Sequence, residues 1–305
     1  MRKILIFVIV ALSSWTACTD NDNDLGPDIP FGESYKLPQG KSPADDRVVA
    51  LFEKYGSYFL YEYSQKDFNW TQVAVSTGNN IFGTILGDPQ YLGGMLDLLE
   101  EVWLNYYPDD FLEKNLPYRI LLADSVKQTY TYERPATYLK LYLTTNTLAI
   151  AGLNEDVGSM SLADKKSTKN WIQQAFLDHL LNINAIEAPN EFYQVSDYTK
   201  ATERDPTNAR ERGFIPSIDS EEQYGYASEW CYFVDYYTKM LSKDTDFKQY
   251  VKNMISHAVT EENSWATYLT FPLVKKKHDI LQAYFLEKYG IDLQAIGNAN
   301  SGYVE

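Results

Sequence analysis

Cysteine, histidine and positive charge are all scarce in this chain. Its 305 residues include two cysteines, Cys18 and Cys231, so no disulfide framework is expected. They include three histidines, and no two of these share a spacing typical of metal ligands. There are 27 lysines and arginines against 42 aspartates and glutamates, which gives a formal net charge of −15. Nucleic acids and anionic membrane surfaces bind basic patches, so this charge argues against both as direct partners.

The apolar run near the N-terminus is short. It spans the nine residues from Ile4 to Leu12, behind Arg2 and Lys3, and cannot cross a bilayer of about 30 Å. A positive start, a short apolar middle and small residues at the exit are typical of a secretory signal. Residues 1–17 are therefore predicted to be a signal peptide.

Cys18 directly follows this segment. With Thr16 and Ala17 before it, the pattern resembles the lipobox of bacterial lipoproteins, in which the cysteine becomes the lipidated first residue. Trp15 departs from the aliphatic residue usual at its position. We expect a lipid anchor on Cys18, and therefore an outer-membrane lipoprotein of the cell envelope. An ordinary secretory signal followed by a stray cysteine is the alternative.

The next segment is acidic and rich in asparagine. Thr19–Asp24 cannot bury anything, and residues 18–41 are predicted to be a flexible tether. An acidic patch after a lipidated cysteine resembles the export signal that carries some lipoproteins to the outer cell surface. A solvated linker with no addressing role is the alternative. Because Arg2 and Lys3 leave with the signal, the formal charge of the mature chain changes from −15 to −17.

Common catalytic motifs are missing. The sequence has no G-x-S-x-G elbow, P-loop or dinucleotide fingerprint, and residues 83–87 predict a turn-like strand end rather than a phosphate cradle. Cys231 lies among Trp230, Tyr232 and Phe233, which favours a buried, inert thiol. Tyrosine (25) and tryptophan (6) are abundant, and surface aromatics of this kind can stack on sugars or pack on peptides.

The periodicity of the apolar residues predicts an α+β protein. A helix should begin near Ser42 and Pro43 and end at Gly56. Further helices are predicted at 88–106, 163–184, 206–213, 220–242, 244–259 and 274–289, and strands at 58–63, 118–122, 129–133, 138–143 and 148–153. A strand-containing front and a mostly helical back predict a two-lobed domain over 42–305, with a cleft between the lobes.

Several stretches resemble one known family. They read LFEKYG at 51–56 with FLYEY at 59–63, FLEKNLP at 111–117, and FYQVSDY at 192–198 followed by ARERGF at 209–214. Their order and spacing are similar to those of lipoproteins called putative zinc-binding metallopeptidases, which are associated with nutrient import. The resemblance implies a zincin-like fold and, as a partner, a TonB-dependent outer-membrane transporter.

The family is built around H-E-x-x-H, whose two histidines bind zinc while the glutamate activates the bound water. Laid on that pattern, Ala175 replaces the first histidine, Phe176 replaces the glutamate, and His179 matches the second histidine. Tyr232 takes the place of the family's later acidic ligand. Glu229 or Asp235 could substitute for that ligand.

Zinc needs three or four protein ligands, and one imidazole beside alanine and phenylalanine cannot hold it. Phe176 also cannot take a proton from water. We therefore expect no cofactor and a catalytically inactive relative that binds a peptide, a glycan or a transporter. Two alternatives stay open: an active zinc hydrolase using His179 with other ligands, and a surface glycan-binding lipoprotein.

The other histidines predict no metal site. His257 and Glu261 lie four residues apart, as in an ordinary surface pair, and His278 precedes Asp279 near the start of the last predicted helix. His179 is predicted to be a hydrogen-bonded residue of the core or of a cleft.

Overall fold

The fold is built around one long strand that changes partners halfway along. The structure is a computed structural model that describes residues 35–69, 80–130, 132–201, 205–218 and 240–303. Within these residues lie a six-stranded mixed sheet and a set of helices, which agrees with the α+β class. The strands are β1 (Tyr58–Leu60), β2 (Asn80–Leu86), β3 (Arg119–Tyr130), β4 (Thr137–Leu139), β5 (Leu141–Leu143) and β6 (Thr147–Ala151).

Strand β3 pairs differently along its two halves. Its first half, which includes the apolar run 120–123, is parallel to β1 on one side and to β6 on the other. Its second half is polar and antiparallel to β2 and β4, while β5 pairs with the far side of β6. Ile120 and Leu122 are fully buried, so the first half belongs to the core. The change of partners occurs at Ala123 and Asp124, where β6 ends.

The helices come mostly after the sheet in the chain. They are α1 (Asp45–Tyr55), α2 (Gln65–Asn69), α3 (Leu92–Val102), α4 (Asp109–Asn115), α5 (Leu162–Asn182), α6 (Asn190–Tyr193), α7 (Pro206–Glu211), α8 (Lys243–Ser256), α9 (Trp265–Tyr268), α10 (Pro272–Tyr289) and α11 (Leu293–Asn298). None of the helices in the described residues is both long and apolar enough for a membrane crossing.

The longest helix, α5, positions the residues of interest. Ser161 caps its N-terminus, because the Ser161 hydroxyl accepts a hydrogen bond from the Asp164 amide at 3.1 Å. The helix contacts α3, α8 and β5, and its buried residues lie in the main hydrophobic core. The helix is therefore held on several sides by these neighbouring elements.

Most predicted elements are present, with differences at particular places. Gly56 ends α1 in the left-handed conformation, as predicted, but the helix begins at Asp45 because the Asp45 carboxylate accepts hydrogen bonds from the Gly40 and Ser42 amides. The prediction of a separate strand at 129–133 was wrong, since residues 119–130 form one strand. Residues 83–86 lie inside β2 rather than at a turn-like strand end. Residues 220–239 of the predicted helix 220–242 lie outside the described residues, and residues 240–242 are not helical, since Ser242 caps the next helix.

The body of the protein begins before the predicted boundary at residue 42. The described residues from Leu37 onward form one unit, and the Gln39 side chain accepts a hydrogen bond from the Tyr61 amide at 3.0 Å. The Lys41 amide donates to the Tyr61 hydroxyl at 3.0 Å. The last residues of the predicted tether therefore pack on the domain. Cys18 and residues 1–34 lie outside the described part of the chain.

Candidate functional site

Phe176, which the sequence resemblance puts at the position of a general base, is a core residue. Its side chain is fully buried, and its ring packs edge-on against Trp103 at 5.2 Å and Tyr107 at 5.0 Å between ring centroids. Edge-to-face packing at these distances is favourable between aromatic rings. Ala175 beside it is also buried and carries no donor atom. Two positions that would need a metal ligand and a base are therefore filled by hydrocarbon.

A hydrogen-bond chain completes this packing. The Tyr107 hydroxyl donates to Gln173 Oε1 at 2.6 Å, and Gln173 Nε2 donates to the Val102 carbonyl oxygen at 2.9 Å. Burial raises the pKa of the Tyr107 phenol far above its ordinary value. All three groups are buried and have partners, as the interior of a protein requires. This part of α5 joins the helix firmly to the end of α3.

His179 is buried and hydrogen-bonded. Its Nε2 lies 3.0 Å from the carbonyl oxygen of Asn115, at the end of α4, and a carbonyl oxygen only accepts, so Nε2 carries the proton and donates. Burial lowers the pKa of His179, and the hydrogen bond to Asn115 opposes this shift. Nδ1 has no hydrogen-bond partner among the described residues. The imidazole is therefore neutral at pH 7, and its Nε2 is already occupied by the hydrogen bond to the end of α4.

Asp178 pairs with α8. Its carboxylate lies 3.2 Å from Lys248 Nζ and 3.5 Å from Lys252 Nζ, so it joins α5 to that helix. Opposite charges at these distances on partly exposed side chains stabilise the contact modestly. Asp178, next to His179 in the sequence, therefore has a structural role.

The residues of α5 do not fit a zinc ion. Of Ala175, Phe176 and His179, only His179 has a donor atom, and within the described ranges no group of three histidine, cysteine or acidic side chains could hold a metal. Tyr232, Glu229 and Asp235 lie outside the described residues. No step of a reaction is therefore derived through zinc.

The two remaining histidines have separate partners. His257 Nδ1 pairs with Glu261 Oε1 at 3.0 Å just beyond the end of α8. His278 Nε2 lies 3.0 Å from Gln294 Oε1, and its ring packs on Trp265 at 4.9 Å. Both are structural contacts between neighbouring elements.

An open cleft lies beside the first half of α5, where Thr168, Trp171 and Ile172 line it. It has a volume of about 200 Å³ and is found where β3 leaves β6 and begins to pair with β4. A depression of about 260 Å³ shares part of its lining and continues over the start of α5. Crevices at the carboxyl ends of parallel strands are frequent ligand sites in α/β sheets. The side chains of chemical interest in the cleft are Asp124, Tyr138, Lys140, Asn154, Asp156 and Trp171.

Main-chain hydrogen bonds fix the walls of this cleft. The Gly152 amide donates to the Asp124 carbonyl oxygen at 3.0 Å, and the Ala151 amide donates to the Lys140 carbonyl oxygen at 2.8 Å. The side chain of Asn154 donates to Asp124 Oδ1 at 2.7 Å and accepts from the Asp156 amide at 3.0 Å. These bonds hold Asp124 and Asn154 in place before any ligand arrives.

The sequence prediction missed this cleft. One signal was present: Asp164, Thr168 and Trp171 follow the i, i+4, i+7 spacing of one helix face, and all three line the depression. The strand residues of the cleft carried no such signal, because β3, β4 and β6 come together only in the folded sheet. The number of aromatic residues in the sequence did not show which of them would line a binding site.

A second group of residues with shifted pKa values surrounds an ion pair that is completely buried. Lys277 Nζ lies 2.6 Å from Asp246 Oδ2, both side chains are completely buried, and the Tyr198 hydroxyl donates to the same carboxylate oxygen. The ammonium also lies 4.6 Å from the Phe214 ring centroid and 4.8 Å from that of Phe192. Burial raises the pKa of Asp246 and lowers that of Lys277, while their mutual attraction opposes both shifts. This cluster ties α8 to α10 in the interior.

Comparison with known proteins found a structural similarity but no match in sequence. No protein-family model matches the sequence, and no curated protein matches it. The structure is similar to the crystal structure of a putative zinc-binding metallo-peptidase from Bacteroides caccae, with a TM-score of 0.43 and 12% sequence identity, over 88% of this chain and 97% of that chain. A likeness of this extent assigns no role to any residue here.

Proposed function

We propose that this chain is a cell-envelope lipoprotein that binds a ligand without hydrolysing it. The observation that carries the proposal is the packing of α5. Phe176 is closed in by Trp103 and Tyr107, and the His179 imidazole is engaged by the Asn115 carbonyl. Zinc hydrolysis needs three protein ligands, a base and room for water at the same place. The side chains on this helix supply one imidazole.

The proposed location and partners follow from the resemblance and from the N-terminus. Cys18 would carry the lipid anchor in the outer membrane, and the acidic tether would place the domain at the periplasmic or outer face. As an accessory component, the domain would present its ligand to a TonB-dependent transporter. Its acidic surface charge supports a partner other than nucleic acid.

A hydrolase assay tests the proposal. The full chain, loaded with an excess of zinc, is incubated with casein and with a mixed fluorogenic peptide library, with and without a chelator. We expect no chelator-sensitive cleavage above that of a sample without protein. Cleavage that disappears with the chelator and in His179→Ala, but persists in Tyr118→Ala, would show an active zinc hydrolase instead. Tyr118 is 41% exposed, so its removal serves as a folding and handling control.

A further inference from the structure

We propose that the cleft between α5 and the end of β6 binds a neutral carbohydrate, with one sugar ring stacked on Trp171. This inference rests on the proposed function, because it names the ligand class of a binding protein. It uses residues that are distinct from Ala175, Phe176 and His179. Its support comes from the exposed aromatics, the fixed polar groups, the charge and the size of the cleft.

The aromatic side chains of the cleft are unusually open. Trp171 is 39% exposed and Tyr138 is 67% exposed, whereas among the described residues only two other aromatic side chains, Tyr118 and Tyr132, are exposed. Trp171 is followed at once by Ile172, which faces the core, so the helix places its tryptophan at the boundary between core and cleft. An indole offers a flat apolar face, and the apolar face of a sugar ring can pack on it.

Hydrogen-bonding side chains line the same cleft as the Trp171 ring. Asn154 engages one oxygen of Asp124, and an ionised carboxylate has about four acceptor positions, so acceptor capacity remains. Lys140 Nζ lies over the Trp171 ring, 5.8 Å from its centroid, so a ligand that stacks on this face would meet the ammonium as a hydrogen-bond donor. Sugar hydroxyls both donate and accept, and a fixed carboxylate, an amide and an ammonium can satisfy both roles. The polar groups and the aromatic ring together form the arrangement that a polyol requires.

The charge of the site selects against acidic ligands. Asp124, Asp156 and Asp164 line the cleft and its continuation, against the single cation Lys140. The chain as a whole carries a formal charge of −15. A uronic-acid polymer or another polyanion would be repelled by this surface, whereas a neutral sugar would not.

The size of the cleft favours a short sugar segment over a peptide. Its volume of about 200 Å³ lies below the roughly 300–1,000 Å³ typical of sites for drug-sized ligands. One or two sugar rings fill such a space. Peptides bound in extended form use a longer groove or a sheet edge, and this cleft lies across the ends of strands.

Titration of the full chain with defined oligosaccharides tests the inference. The probes are malto-, cello-, xylo- and manno-oligosaccharides, with oligogalacturonate as an acidic control and a tryptic casein digest as a peptide control. Tryptophan fluorescence and isothermal titration calorimetry report binding. We expect at least one neutral series to bind and to change the tryptophan emission, and Trp171→Ala to weaken that binding at least about tenfold.

Variants separate the cleft from the rest of the surface. Asp124→Asn is expected to weaken binding several-fold, and Tyr118→Ala, which removes an exposed aromatic outside the cleft, should leave it unchanged. The inference is overturned if no neutral series binds at millimolar concentration, if only the peptide or the acidic probe binds, or if Trp171→Ala binds like the wild type. These results would leave the proposed lack of hydrolysis standing, because that proposal is tested by peptide cleavage and zinc binding and not by sugar binding.

Discussion

The Phe176→Glu variant tests whether the face of α5 on which the resemblance centres is core or cleft. The change introduces a glutamate at the position where the sequence resemblance puts the glutamate of H-E-x-x-H. In this structure it replaces a fully buried ring that packs on Trp103 and Tyr107. The new carboxyl group would meet the aromatic carbon of these two rings, with the His179 ring, whose Nε2 is already hydrogen-bonded, 6.2 Å from the present Phe176 centroid. The variant is therefore expected to fold poorly.

Two losses set the size of this effect. Removing a buried phenylalanine side chain costs about 3–5 kcal/mol, as in Phe-to-Ala substitutions. Burying a carboxyl group without a partner adds at least about 1–3 kcal/mol even when it takes up a proton. The sum is comparable to the roughly 5–15 kcal/mol by which a domain of ordinary stability folds. Phe176→Leu, which keeps an apolar side chain, should cost only about 1 kcal/mol.

Urea unfolding followed by circular dichroism and tryptophan fluorescence measures these free energies of unfolding. Trp171→Glu is a matched control on the same helix, because Trp171 is 39% exposed and a carboxylate there reaches water, so it should cost clearly less than Phe176→Glu. If Phe176→Glu were as stable as Trp171→Glu, the ring would not be buried. The position would then face water, and the argument against a hydrolytic site would fail.

Three further changes have expected outcomes. Burial lowers the pKa of Lys169 from 10.5 to about 7, so the unfolded chain binds this proton more readily than the folded chain. As the pH falls from 10 to 7, the free energy of unfolding of the wild type should therefore decrease by roughly 3–4 kcal/mol relative to that of Lys169→Met. Denaturation curves at several pH values check this, and parallel pH profiles of the two proteins would contradict it. Asp246→Asn leaves Lys277 buried and uncompensated and should cost about 3–5 kcal/mol in urea unfolding, whereas a loss below about 1 kcal/mol would show that the pair is not closed. Cys18→Ser should move the protein from the membrane fraction to the soluble fraction in cell fractionation, and its retention in the membrane would contradict the lipid anchor.

Elements with strong local signals could be predicted from the sequence. The α1 helix has acidic residues at its start and Gly56 at its end, so it was placed to within a few residues. The helix predicted at 163–184 is α5, which spans Leu162–Asn182. The α4 helix was missed because its seven residues bury only Phe111 and Leu112 and give little periodicity. Strand β2 was missed because its partner is the second half of β3, far away in the sequence.

The surroundings of the candidate residues depend on contacts between distant segments. The sequence placed Ala175, Phe176 and His179 on one helix, but their closure comes from Trp103, Tyr107 and the end of α4. Helical periodicity shows which residues share a face and does not show what covers that face. The same limit applies to the cleft, in which Trp171 meets strand residues from three separate segments.

Zinc stoichiometry of the full chain tests the central claim most directly. The protein is equilibrated with a small molar excess of zinc, passed through a desalting column and measured by elemental analysis, together with His179→Ala. We predict far less than one zinc per chain, with no difference between the two proteins. One zinc per wild-type chain that is lost in His179→Ala would contradict the account, because it would show that the α5 site still binds the metal.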